Sequence, residues 1–140
     1  MQDSQPLSVL VTMGTNLSSS QCPTSPSEME EMSRVPYQSA IGSLMYAMVC
    51  TRPDIAQALG VLSRYVSNLG RAHWDALKRV FRYLWGTSEY SICFHGTGNK
   101  HSFYIRGYVD SDWASDVDRR RSPSAYVLTL VDGAINWVSK

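Results

Sequence analysis

Cysteine is scarce: Cys22, Cys50 and Cys93 are the only three in 140 residues, an odd number too widely spaced for any C-x₂-C zinc pair. Reduced thiols of an intracellular protein are the expectation. Long apolar runs are also missing, since none approaches the roughly 18–20 residues of a membrane span. The first residues, MQDSQPLSVL, lack the basic start and apolar stretch of a signal peptide. Nothing directs export, no membrane partner is expected, and the compartment is left open. Net charge is almost absent at +1, so the chain as a whole has no pull toward nucleic acid, and any such contact must come from a local patch. There is no glycine-rich phosphate loop and no nucleophile with a histidine partner at usable spacing.

What is present suffices for one ordinary core: 44% of residues are hydrophobic and 18% charged. Residues 1–34, with SSSQCPTSPS at their centre, are rich in Ser, Thr, Gln and Pro and read as a flexible leader whose EMEEM run seeds at most a helical turn. From Val35 the period becomes helical. Tyr37, Ile41, Leu44, Met45 and Met48 form one stripe after Pro36. Pro53 breaks that helix and suits the first turn of a second, striped by Ile55, Leu59, Leu62 and Val66 and stopped by Asn68 and Gly70. A third runs from about Ala72 to Trp85 with Trp74, Leu77, Phe81 and Leu84 on one side and Gly86 as its stop. This block, 35–88, predicts a helical hairpin with a third helix across it.

After Gly86 the period falls toward two. Strands are expected at 90–95, 102–110, 125–131 and 134–138, the last two joined at Asp132-Gly133, a strong two-residue hairpin signal. The 125–131 strand is apolar on both faces and wants a cover on each. The expected class is therefore α+β, a helical block followed by an antiparallel meander.

The chemically suggestive stretch is GYVDSDWASDVDRRRS, residues 107–122. A calcium loop starting at Asp110 fails at its fifth, sixth and twelfth positions, which are Ala114, Ser115 and Arg121. A magnesium site for phosphoryl-transfer chemistry needs carboxylates clamping two ions about 3.5–4 Å apart. Asp110 suits it, because it ends a strand and would be presented from rigid backbone. Asp112 shares its parity if the strand continues. Asp116 and Asp118 fall in the turn beside Arg119, Arg120 and Arg121, where ion pairing is the expected use. The competing reading, a solvated acidic-basic turn, is the one these residues alone favour.

On the third helix Arg71, Lys78, Arg79 and Arg82 form a basic face that could follow phosphates, diluted by Asp75. A plain solvated face fits the spacing better. Cys93 and His95 share a strand face but make only two ligands; His73 and His101 stand isolated.

Three blocks, VPYQSAIGSLMYAMVCTRPDIAQALGVLSRY, HWDALKRVFRYLWGT and GYVDSDWASDVDRRRS…AYVLTLVDGAINWVSK, in this order resemble the copia-type retrotransposon Pol polyprotein. The resemblance covers about Val35 to Lys140, and weakly the leader too. It implies that 35–88 is the connection segment after the reverse transcriptase palm, and that 89–140 is the incomplete start of a ribonuclease H-like fold. It implies further that Asp110 matches the first metal-binding carboxylate, with Asp112 a common family aspartate. Magnesium, an RNA–DNA hybrid or template-primer, and the remainder of a Pol polyprotein are the implied cofactor and partners. The family's Tyr-x-Asp-Asp polymerase string does not occur, and its next ribonuclease H carboxylate, a glutamate on a helix after the third strand, lies past Lys140. Ser122-Pro123-Ser124-Ala125-Tyr126 replaces the usual Ser-Thr-Ser-Gly-Tyr, and Ser115 the usual glycine. The expectation is a truncated Pol fragment, inactive alone and binding no magnesium productively. The alternatives are a part-domain completed by another polypeptide or by readthrough, and a nucleic-acid-binding module.

Overall fold

The computed structural model describes residues 4–10, 17–95, 104–111, 118 and 124–139. Its elements run α1 (Pro26–Ser33), α2 (Tyr37–Cys50), α3 (Ala56–Leu62), α4 (Arg71–Gly86), β1 (Ile105–Ser111), β2 (Ser124–Leu130) and β3 (Gly133–Ser139). Short 3₁₀ turns occupy Ser19–Gln21, Pro53–Ile55 and Ser63–Tyr65. The strands form one antiparallel sheet in the order β1-β2-β3. The class is α+β.

The core lies among α2, α3 and α4. Tyr37, Ile41 and Leu44 of α2 meet Ile55, Leu59 and Leu62 across the Pro53 break, and Leu77, Val80 and Tyr83 close the cluster from α4. The α2–α3 corner forms because Pro53 has no N–H for α2 to use and starts the next turn instead. Tyr37 is buried edge-on to Trp74, with ring centroids 6.4 Å apart, and its hydroxyl donates to the Leu62 carbonyl at 2.8 Å. Burial, then the nearby Tyr65, pushes its pKa far up, so it stays a donor.

Three details differ from the sequence expectations. On α4 the fully buried positions are His73, Leu77, Val80 and Tyr83, while Trp74, Phe81 and Leu84 are only half-buried, so the inward stripe is turned by about one residue. Residues 90–95 form no strand; a bond from the His95 amide to the Val131 carbonyl links the segment to the hairpin. The hairpin pivots on Val131 and Asp132, both at positive φ (50° and 64°), and Gly133 already pairs with Leu130. That is one residue earlier than an Asp-Gly centre. Gly133 is needed in the strand instead, because a Cβ there would run into the Phe94 ring. The shift is absorbed between Leu128 and Thr129, which pair with Asn136 and Ala134 and leave Ile135 as a bulge.

The composition of the leader suggests mobility, yet its described residues take partners. The Leu7 amide donates to the Arg82 carbonyl at 3.1 Å and the Arg82 Nε to the Gln5 carbonyl at 2.6 Å. The pass is so close that a Cβ on Gly86 would strike the Leu7 backbone. Leu7, Leu10, Leu17 and Met32 pack against the helical core, a few apolar anchors in an otherwise polar stretch. The sheet joins the helices through the Trp137 indole, which donates to the Met48 carbonyl at 3.1 Å, and through β3 lying against α3.

Candidate functional site

Asp110 sits near the end of β1, opposite Ala125 of β2, with its side chain exposed. It borders a groove of about 180 Å³ between the start of α3 and the sheet, lined by Pro53, Asp54, Gln57, Ala125 and Trp137 among others. The strand therefore presents the carboxylate from regular backbone, and the Asp110 side chain makes no hydrogen bond or ion pair among the described residues. Asp112 lies outside the described residues, as do Asp116 and Arg119, Arg120 and Arg121.

The second carboxylate on the groove is Asp54, and it is already taken. Arg52 grips it through both fork nitrogens, Nε to Oδ1 at 3.0 Å and Nη2 to Oδ2 at 2.7 Å, and the Tyr83 hydroxyl adds a 2.7 Å bond. Arg52 itself is only 8% exposed. Its remaining donors reach the carbonyl and hydroxyl of Thr87 at 3.1 and 2.7 Å, and its guanidinium lies over the rings of Tyr83 and Tyr90. Burial alone would raise the Asp54 carboxyl, but the bonds from Arg52 and Tyr83 outweigh it and hold the group below its ordinary value. Burial, then the bond it donates to Asp54, pushes the Tyr83 phenol up.

Among the described residues this donor set does not make up a two-ion metal centre. A two-ion centre needs several carboxylates free to converge on one point. Among the described residues no three His, Cys, Asp or Glu side chains come together, and Asp54, the other carboxylate lining the groove, is paired with Arg52.

Asp118 lies elsewhere. Its carboxylate accepts from the Ser19 amide at 3.0 and 3.1 Å, from the Ser19 hydroxyl at 2.9 Å and from the Tyr65 hydroxyl at 3.2 Å. It thus ties the acidic loop to the leader turn across 99 positions of sequence. Desolvation raises its carboxyl, but the Ser19 and Tyr65 donors prevail and leave it below the ordinary value. Replacing it, Asp118→Ala, is expected to speed hydrogen exchange of the Ser19 amide while the amides of α4 stay as protected as before; unchanged exchange at Ser19 would contradict the tether.

The basic face of α4 is partly spent. Lys78 pairs with Asp75 at 2.6 Å, and Arg82 holds the Gln5 carbonyl, whereas Arg71 and Arg79 are exposed with no pairing among the described residues. Cys93 is exposed and lies near Ser91, in no cluster of three ligands among the described residues. His73 is not isolated. It is fully buried, stacked on Tyr65 at 3.8 Å between centroids, and its Nδ1 accepts from the Gly70 amide at 3.0 Å. No spacing rule singles out Arg52, His73 or Thr87, and the expected pairing of Asp118 with Arg119, Arg120 and Arg121 lies outside the described residues. The Arg52-x-Asp54 pair after a helix end was the one readable hint, since such a pair can fork.

No helix among the described residues is long and apolar enough to cross a membrane. No family model matches the chain, and no solved structure matches it. Its curated relatives define the class, that of Pol polyproteins of transposons. Over all 140 residues it is 47% identical to the retrovirus-related Pol polyprotein from transposon TNT 1-94 of Nicotiana tabacum, spanning 10% of that protein. It is 42% identical over 104 residues, 74% of the chain, to the corresponding polyprotein from transposon RE2 of Arabidopsis thaliana, spanning 7% of it. A relative of similar size is the secreted RxLR effector protein 161 of Plasmopara viticola, 50% identical over 109 residues, which are 78% of this chain and 75% of that protein. The chain belongs to the copia-type retrotransposon Pol family.

Proposed function

We propose that the chain is a non-catalytic piece of Pol: a helical connection block carrying a partial ribonuclease H-like sheet, with Asp110 at an inherited metal-ligand position that has no metal centre around it among the described residues. The observation that carries this reading is the state of the groove. Asp110 lines it with a carboxylate that has no partner among the described residues, while Asp54 is committed to Arg52 and Tyr83. Among the described residues Asp110 is the one uncommitted carboxylate on the groove, and one carboxylate cannot clamp two ions, activate a water and stabilise a leaving oxygen together. Magnesium, if it meets Asp110, would supply that Lewis-acid chemistry only with further ligands, and an RNA–DNA hybrid is the substrate on which the parent activity would be seen.

The purified chain incubated with magnesium and an RNA–DNA hybrid is expected to leave the RNA strand intact. Cleavage that Asp110→Asn abolishes would overturn the proposal.

A further inference from the structure

His73, fully buried in the first turn of α4, lies where the leader crosses that helix. Three contacts seat residues 17–22 around it. The Tyr65 hydroxyl, on the ring stacked against His73 at 3.8 Å, donates to the Leu17 carbonyl at 2.9 Å. The Gln21 carbonyl passes so close to Gly70 that a Cβ there would run into it, and the Cys22 thiol donates to the Asn68 carbonyl at 3.1 Å. His73 holds the middle of this seat. Its Nδ1 takes the Gly70 amide at 3.0 Å, the reach-back bond of a capping box, so the neutral ring carries its proton on Nε2, which is buried without a hydrogen-bond partner among the described residues.

We infer that His73 is a proton-operated latch for the leader: while the ring is neutral the turn at 17–22 stays seated on α4, and protonation at Nδ1 unseats it with the helical core intact. The proton turns an acceptor into a donor. Nδ1–H would point at the Gly70 N–H, so Gly70 loses its acceptor and the Gln21 carbonyl loses the backbone on which it rests. The charged ring would also be held away from water, and release of the leader relieves that by exposing it. The groups facing the ring are Tyr65 from the Ser63–Tyr65 turn, the Asp118 carboxylate and the Ser18 backbone. Burial disfavours the charged ring, and the Ser18 backbone and Asp118 oppose burial without prevailing. Around the same end of α4, Arg71 is exposed, Asp75 is paired with Lys78, and Glu28 and Glu31 of α1 line a cavity of about 310 Å³ shared with Gly70 and Cys22. Desolvation raises the Asp118 carboxyl, but the Ser19 and Tyr65 donors hold it below its ordinary value, so it stays charged while His73 titrates. Above 6.5 the ring is neutral whether the leader is seated or released; below it the released state binds the proton first, so release is favoured as pH falls.

Cys22 reports the latch, with the exposed Cys50 and Cys93 as references in the same chain. The full chain is pulsed with dithiodipyridine, which reacts with thiols at acid pH, and labelling at each cysteine is read by peptide mass spectrometry. Taking the ratio of Cys22 to the other two removes the common dependence of thiol reactivity on pH. From roughly pH 7.5 to roughly pH 5 that ratio is expected to rise at least about fivefold and at most about thirtyfold, the limit for one proton taken up at 6.5. The amides of Leu77 and Val80 in α4 are expected to keep their hydrogen-exchange protection throughout; their loss together with the leader would mean global unfolding and overturn a local latch. His73→Gln places the usual capping-box acceptor at the same helix position without a titrating ring, and is expected to hold the ratio constant within about twofold. Tyr65→Phe keeps the ring stack and removes the bond to Leu17, and is expected to raise the ratio at every pH; an unchanged ratio would contradict the seat. A wild-type ratio that does not move with pH, or a folded His73→Gln chain as pH-dependent as wild type, would overturn the inference. The wild-type comparison decides whether or not either variant folds, and the magnesium-dependent cleavage assay has no bearing on it.

Discussion

Arg52→Ala is expected to lower the unfolding free energy by about 3 kcal/mol, read as a fall in the urea midpoint at unchanged slope. The reason is what the guanidinium leaves behind. Asp54 would lose both its fork bonds, the Thr87 carbonyl and hydroxyl would lose their donor, and the packing over Tyr83 and Tyr90 would go. Breaking a buried ion pair from one side costs more than the pair contributed, because an uncompensated charge stays in a poorly solvated place. Arg52→Lys keeps the charge without the fork, and the expected loss is about half as large, since one ammonium cannot serve Asp54 and Thr87 together. Asp54 adds a pH signature. Its carboxyl lies below the ordinary 3.8 in the folded chain, so its contribution is complete above that value and is lost as pH falls toward the folded pKa. Asp54→Asn is expected to remove that acid-limb component; an unchanged acid limb would show that the Arg52 network is not the source.

The second large effect falls on His73. His73→Ala empties a fully buried position stacked on Tyr65 and deprives the Gly70 amide of its acceptor, for an expected loss of about 2–3 kcal/mol by chemical denaturation. A milder change, His73→Phe, separates packing from titration. Burial lowers the pKa of His73 below 6.5, opposed by the Ser18 backbone and the Asp118 carboxylate. Below 6.5 the unfolded chain takes up the proton first, so stability declines as pH drops through that value toward the folded pKa. Above it the ring is neutral in both states and contributes no slope. The protonated ring would also lose the lone pair on Nδ1 that receives the Gly70 amide. His73→Phe is therefore expected to flatten the stability profile over roughly pH 5–7, the range in which histidine titrates. A profile as steep as wild type would place the titrating group elsewhere.

These two residues also show how far the sequence could be read. Periodicity located three helices near their observed bounds because each buries a stripe, and Pro53 marks a break that backbone chemistry makes unavoidable. It misjudged which stripe of α4 turns inward. With both leader and helices packed on that helix, its two apolar sides differ only in what covers them, and an average over 3.6 residues does not carry that information. His73 looked unattached because its partners, Tyr65 and Gly70, are unremarkable residues made important by burial. The hairpin was readable as a hairpin from Asp132-Gly133, but its pivot moved to Val131-Asp132 because Phe94, a residue from another segment, claims the space over Gly133.

Within GYVDSDWASDVDRRRS the division is sharper still. Alternating apolar residues were enough to set Asp110 on a strand, since a period of two admits few other structures, and the α+β class followed from the change of period after Gly86. What the described carboxylates do was decided only in three dimensions. Asp118 belongs to Ser19 and Tyr65, Asp54 to Arg52 and Tyr83, and Asp110 to none of the described residues. Local periodicity is a property of neighbours in the chain, whereas the use of a charge depends on which distant donors the fold brings within about 3 Å of it.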